Sequence, residues 1–143
     1  MAGIVVGVDG SGHSRKALER AAAEAVAHGA PLTVLAVHQA VRDVYGYTSH
    51  YQEDTDQTAK VKEAAQAETD QVLAGLSAKP TSVTVTAVHG LPADELVKAS
   101  QDADMLVLSR RGSGGFARLL LGSVTAQVAE HAACPVLIVP PAE

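Results

Sequence analysis

A chain of 143 residues fits a single domain of ordinary size, taken as residues 1–143, since domains run to roughly 100–200 residues. Its net charge of -5 offers no basic stripe for nucleic acid, and its one cysteine, Cys134, excludes an internal disulfide. There is no spanning run of ~20 apolar residues and no charged-then-apolar leader, so no membrane partner and a cytoplasmic location are expected.

Apolar residues form 47% of the chain and aromatics 3%, so the core must be built from Val, Leu, Ile and Ala, which suits closely spaced helix and sheet layers. Residues 3–8 (Gly-Ile-Val-Val-Gly-Val) are a β-branched run that ends at the turn formers Asp9-Gly10-Ser11-Gly12, giving a first strand and its exit. From Ser14 onward Ala17, Leu18, Ala21, Ala22, Ala25 and Val26 recur at helical spacing, with Gly29 as the stop. Pro31 introduces a second buried-type strand at 32–37, and residues 38–54, which hold all three tyrosines (Tyr45, Tyr47 and Tyr51), read as irregular. Val61, Ala65, Val72 and Leu76 predict a second helix over 55–76, closed by Lys79-Pro80.

The third strand, 83–88, alternates apolar and polar residues, as a strand at a sheet edge does. His89-Gly90-Leu91-Pro92 turns into a third helix whose Leu96, Val97 and Ala99 face inward. Met105–Ser109 has the continuous apolar character of a central parallel strand. A fourth helix over 124–133 and a fifth strand over 135–139, ended by Pro140-Pro141, complete the chain. Strict alternation of strand and helix demands right-handed crossovers and a mainly parallel sheet, with ligands held beyond the carboxyl ends of the strands.

Between the fourth strand and fourth helix, Gly112, Gly114 and Gly115 fall within four positions, and Gly122-Ser123 opens the helix. A glycine-rich loop lets backbone N–H groups turn inward, and a helix start adds unpaired amides and a positive dipole end. Together they make an anion cradle, and a nucleotide phosphate is the expected anion. The loop is neither a Walker A motif, since no lysine precedes Ser123, nor a dinucleotide fingerprint, which would follow the first strand.

Val8-Asp9-Gly10-Ser11, Gly90-Leu91-Pro92, the glycine-rich loop and Cys134-Pro135-Val136-Leu137-Ile138-Val139 together resemble the universal stress protein family of UspA type over nearly the whole length. The resemblance implies an α/β fold, Rossmann-like and adenine nucleotide α-hydrolase-like, with an open five-stranded parallel sheet in the order 3-2-1-4-5 and helices on both faces. ATP-binding members carry Gly, two residues, Gly, nine residues, then Gly-Ser or Gly-Thr. Gly112, residues 113–121 and Gly122-Ser123 match the later parts, but Ser109 stands where the first glycine belongs. If that position has positive φ, serine costs on the order of 1 kcal/mol and weakens ATP; if φ is negative, its hydroxyl can donate to a phosphate.

Carried over by position, the resemblance implies ATP, or ADP or AMP, held with magnesium. Gly7, Val8 and Asp9 lie at the first strand's exit, with Asp9 meeting the ribose or the metal. Val37 pairs its backbone with adenine, Gly90 borders the site, and Leu108, Ser109, Arg110, Arg111, Gly112, Ser113, Gly114, Gly115, Gly122, Ser123, Val124 and Thr125 wrap the phosphates. It also implies a homodimer through Val136–Val139, an apolar run suited to edge pairing.

Plainer readings stand beside these. Asp9 also suits a turn or the cap of the first helix, Arg110 and Arg111 suit solvated loop residues, and the tyrosines suit either a lid over a base or an ordinary loop. The six histidines show no metal-binding spacing, and His38 and His89 read as satisfied loop residues. Cys134 reads as a small buried residue. No nucleophile–base pair is evident, so a binding protein is expected rather than an enzyme, with slow ATP hydrolysis at most. The runners-up are a family member that binds no ATP and serves as a dimerisation module, and a binder of AMP or cyclic AMP. An adenylate-forming enzyme and a phosphoacceptor receiver both lack their sequence hallmarks here.

Overall fold

The structure, a computed structural model, describes residues 3–39, 51–110 and 122–140, with the backbone alone for 51–55. Strands and helices alternate as β1 (Ile4–Val8), α1 (Gly12–His28), β2 (Leu32–His38), α2 (Tyr51–Ala74), β3 (Val83–His89), α3 (Pro92–Ser100), β4 (Met105–Ser109), α4 (Ser123–His131) and β5 (Val136–Val139). The five strands form one sheet in the order β3-β2-β1-β4-β5, every pairing parallel. The parallel sheet is the one that the strand and helix alternation demands, and its order is the one that the family resemblance implies. Among the described residues, no helix is long and apolar enough to cross a membrane.

Two cores flank the sheet. Ile4, Val6 and Val8 of β1 and Leu32, Val34 and Ala36 of β2 meet the alanine stripe of α1 (Ala17, Ala21, Ala22, Ala25) together with Ala65 and Val72 of α2. Alanine removes bulk where α1 crosses the sheet, so helix and strands close on one another. On the other face Leu35, Leu106 and Leu108 pack with Leu96 of α3 and Val128 of α4. The edge strand β3 buries only Val85 among its seven residues, in keeping with its alternating sequence.

Local chemistry sets the helix ends. Ser11 caps α1, its Oγ accepting the Ser14 N–H at 3.2 Å, so the helix starts at Gly12 and Asp9 is not its cap. Gly29, at φ 61°, ends it, with Gly29 N–H donating to Val26 and Ala30 N–H to Ala25 in the paired bonds of a Schellman motif. Helix α2 begins at Tyr51, within the span read as irregular, because no glycine or proline separates Tyr51 from Thr55 to stop it.

Candidate functional site

The carboxyl edge of the sheet is notched at its centre. β1 stops at Val8 opposite Ala36, while β2 and β3 stay paired as far as His38 and His89. On the other side β4, in register with β1 at Val6 and Val107, continues to Ser109 and its partner Val139 on β5. In the sheet order β1 connects through α1 to β2 on one side and β4 connects through α4 to β5 on the other, so strand order reverses between the β1 exit at Asp9 and the β4 exit at Ser109. Ligands of doubly wound sheets bind at such a reversal point.

One wall is the β1 exit. Asp9 is exposed, its Oδ1 accepts the Ser11 N–H at 2.9 Å, and its own N–H donates to Ser14 Oγ at 3.3 Å. This is an Asx-type turn, and Gly10 supplies the positive φ of 82° that it needs. The carboxylate is therefore held at the β1 exit by its own loop. Val8 beneath it is 8% exposed and belongs to the core, so only its main chain is at the site.

The opposite wall is the β4 exit. Ser109 is buried and extended, and no non-glycine residue among those described has positive φ. A serine in the family's first glycine position therefore brings no backbone strain. Thr125 Oγ1 donates to the Ser109 carbonyl at 2.8 Å, Gly122 N–H donates to the Arg110 carbonyl at 2.8 Å, and Arg110 N–H donates to the Val139 carbonyl at 2.9 Å. These bonds tie the end of β4 to the start of α4 and to the end of β5. Gly122 caps α4 and, being glycine, offers no side-chain acceptor to the amides of the opening turn, Ser123 to Thr125. Arg111, Gly112, Ser113, Gly114 and Gly115, all expected at the phosphates, lie outside the described residues, as do Tyr45 and Tyr47.

Val37 comes one residue after Ala36, the last β2 residue paired with β1, so its main chain runs along the open side of the notch. Its half-buried side chain packs on the second core. Gly90 donates its N–H to the His38 carbonyl at 2.9 Å, and a Cβ there would approach Glu95 Cγ at 3.1 Å. Gly7 and Leu108 belong to the sheet below the crevice. A Cβ on Gly7 would come within 2.8 Å of Leu108 Cδ2 and 2.9 Å of Leu96 Cδ2, so packing alone accounts for this glycine.

Helix α2 contributes groups that the sequence did not single out. Thr58 Oγ1 lies 2.7 Å from His38 Nε2, and the His38 and His89 rings are 5.2 Å apart at 60°. Arg15 Nη1 donates to Gln71 Oε1 at 3.0 Å, and burial pushes the Glu68 carboxyl up, opposed by Arg15 and reinforced by the charge of Asp9. These pairs join residues distant in sequence, and the periodicity of α2 marks only its apolar face. Cys134 is half-buried, and burial raises its thiol pKa. Among the described residues no group of three or more His, Cys, Asp or Glu side chains is arranged to hold a metal. Asp9 fits magnesium only as one carboxylate beside nucleotide phosphates, the usual manner for that ion.

Comparison with known proteins points one way. The model of the family described as the universal stress protein family matches residues 2–140. The chain is similar to a universal stress protein of Thermus aquaticus, 33% identical over 138 residues that cover 95% of this chain and 96% of the relative. It is also 34% identical over 141 residues to a universal stress protein of Mycobacterium tuberculosis, covering 96% of this chain but 47% of the relative, so it spans about half of that protein. Among solved structures, a universal stress protein in complex with cAMP superposes with a TM-score of 0.65 at 29% identity, covering 97% of this chain and 98% of the other. UspA from Lactobacillus plantarum reaches a TM-score of 0.73 at 23% identity, covering 96% and 97%, a likeness of fold.

Proposed function

Because the chain belongs to the universal stress protein family, we propose that it binds an adenine nucleotide, ATP foremost, in the crevice at the carboxyl ends of β1 and β4. The observation that carries this reading is the notch itself: β1 ends at a carboxylate held in an Asx turn, and the neighbouring strand β4 is tied to the start of α4, whose N-cap is the glycine Gly122. In this reading the exposed Val37 main chain pairs with adenine and Asp9 meets the ribose or a nucleotide-bound magnesium ion. The opening turn of α4 takes phosphate, through unpaired amides and the positive end of the dipole. Extended Ser109 supports ATP, since the departure from the family's glycine is free of strain.

Equilibrium titration with ATP, ADP, AMP and cyclic AMP, with and without magnesium, tests the proposal. Saturable binding that Gly122→Val abolishes agrees with it; Gly122 has φ -63°, so valine strains no backbone and acts through bulk at the crevice. No binding at about 1 mM, which corresponds to roughly 4 kcal/mol, would favour a nucleotide-free interaction module instead. A cyclic AMP preference is the second reading, favoured by the cAMP complex of the 29% identical neighbour.

The same proposal makes the protein a cytoplasmic homodimer that signals through nucleotide occupancy and binds rather than turns over its ligand. β5 is a half-buried edge strand, and Ile138 belongs to neither core, which suits pairing with a second copy. Sedimentation equilibrium should give a dimer that Ile138→Lys converts to monomer; a monomeric wild-type chain would refute this part.

A further inference from the structure

Position alone places Thr125 among the phosphate ligands, but its side chain is engaged elsewhere. The residue is 5% exposed, and its hydroxyl donates at 2.8 Å to the carbonyl of Ser109, the last residue of β4. A threonine hydroxyl has one proton to donate, so this bond leaves none for a phosphate oxygen. The bond joins the first turn of α4 to the β4 exit and lies beside the Gly122 N–H bond to the Arg110 carbonyl at 2.8 Å. Two successive carbonyls at the loop base thus take their donors from the start of α4. A carbonyl turned instead toward a phosphate would repel it.

We propose that Thr125 is a positioning residue for phosphate recognition: its hydroxyl latches α4 to β4, setting the amides of residues 123–125 at the crevice while touching no ligand atom. The inference rests on the nucleotide reading above and adds how that site is held in shape. Adenine lies in that reading on β2, away from the latch, so losing the hydroxyl weakens the phosphate end and spares the base end.

The experiment compares ATP and adenosine binding by wild type, Thr125→Val and Thr125→Ser. Valine keeps the shape and removes the donor; serine keeps the donor and removes the methyl. Removing one neutral hydrogen bond that aligns the helix should weaken ATP about tenfold in Thr125→Val and change adenosine less than about twofold, with Thr125→Ser near wild type for both. Equal ATP affinity in wild type and Thr125→Val, or an equal loss for ATP and adenosine, overturns the latch. An ATP loss in Thr125→Ser as large as in Thr125→Val also overturns it, because the methyl would then be the determinant. Should valine prevent folding, Thr125→Ala carries the same comparison. Failure of wild type to bind ATP refutes the nucleotide reading instead, so the two failures are distinct.

Discussion

Adding one methyl group at Gly7 tests whether this glycine serves the core or a ligand. Gly7→Ala would place a Cβ 2.8 Å from Leu108 Cδ2 and 2.9 Å from Leu96 Cδ2. Ordinary carbon contacts begin near ~3.5 Å, so the leucines must withdraw by about 0.7 and 0.6 Å. Each is 4% exposed and lies within the second core, so neither retreats into solvent. Overpacking of this kind costs about 1–3 kcal/mol, and the entropy that alanine removes from the unfolded chain returns about 0.4–1 kcal/mol. The net expectation is a destabilisation centred on about 1.3 kcal/mol, within a range of about 0–2.6 kcal/mol, seen in urea as a lower midpoint with an unchanged slope. In a double-mutant cycle Leu108→Val should relieve the crowding, giving a coupling of at least about 0.5 kcal/mol. ATP affinity of the folded fraction should stay at the wild-type value. A variant as stable as wild type, an additive double mutant, or a selective loss of ATP binding would refute the packing role.

Three further outcomes follow from the same geometry. Ser100 Oγ accepts the Ala133 N–H at 2.9 Å and is 1% exposed while Ala133 is exposed, so Ser100→Ala should cost about 0.5–1.5 kcal/mol and speed hydrogen exchange at the Ala133 amide; unchanged exchange there would contradict it. The folded-state pKa of Glu68 is raised, chiefly by burial, so its charged form opposes folding above that raised pKa and the penalty disappears below the ordinary value of 4.5. Glu68→Gln should therefore stabilise at pH 7 and match wild type at pH 3 to 4, and a gain confined to acid would reverse the sign. Gly29→Ala places alanine at φ 61° and should destabilise by about 1 kcal/mol or more despite the open space around it, judged by thermal melting; an unchanged midpoint would argue against the left-handed cap.

The strand and helix order was legible because the chain is punctuated: Gly29 and Pro31 separate α1 from β2, Lys79-Pro80 follows α2, and Pro92 starts α3. Where punctuation is missing, boundaries slip, as at Tyr51, four positions before the predicted start of α2. Asp9, Ser11 and Ser14 are all capable caps in sequence, and only the 3.2 Å bond between Ser11 and Ser14 distinguishes them. The strand ends that form the crevice followed from topology alone. The Thr125 bond to Ser109 and the Glu68 approach to Asp9 did not, because each depends on how two elements meet across the fold rather than on any local pattern.

The most direct measurement is the change in backbone amide resonances of the isotope-labelled protein as ATP is added. Shifts that saturate and concentrate at Asp9, Val37, Ser109 and the opening turn of α4, with β3 and the carboxyl end of α3 unmoved, are the predicted result. Saturable shifts centred elsewhere, or none at about 1 mM ATP, would contradict a nucleotide site between β1 and β4.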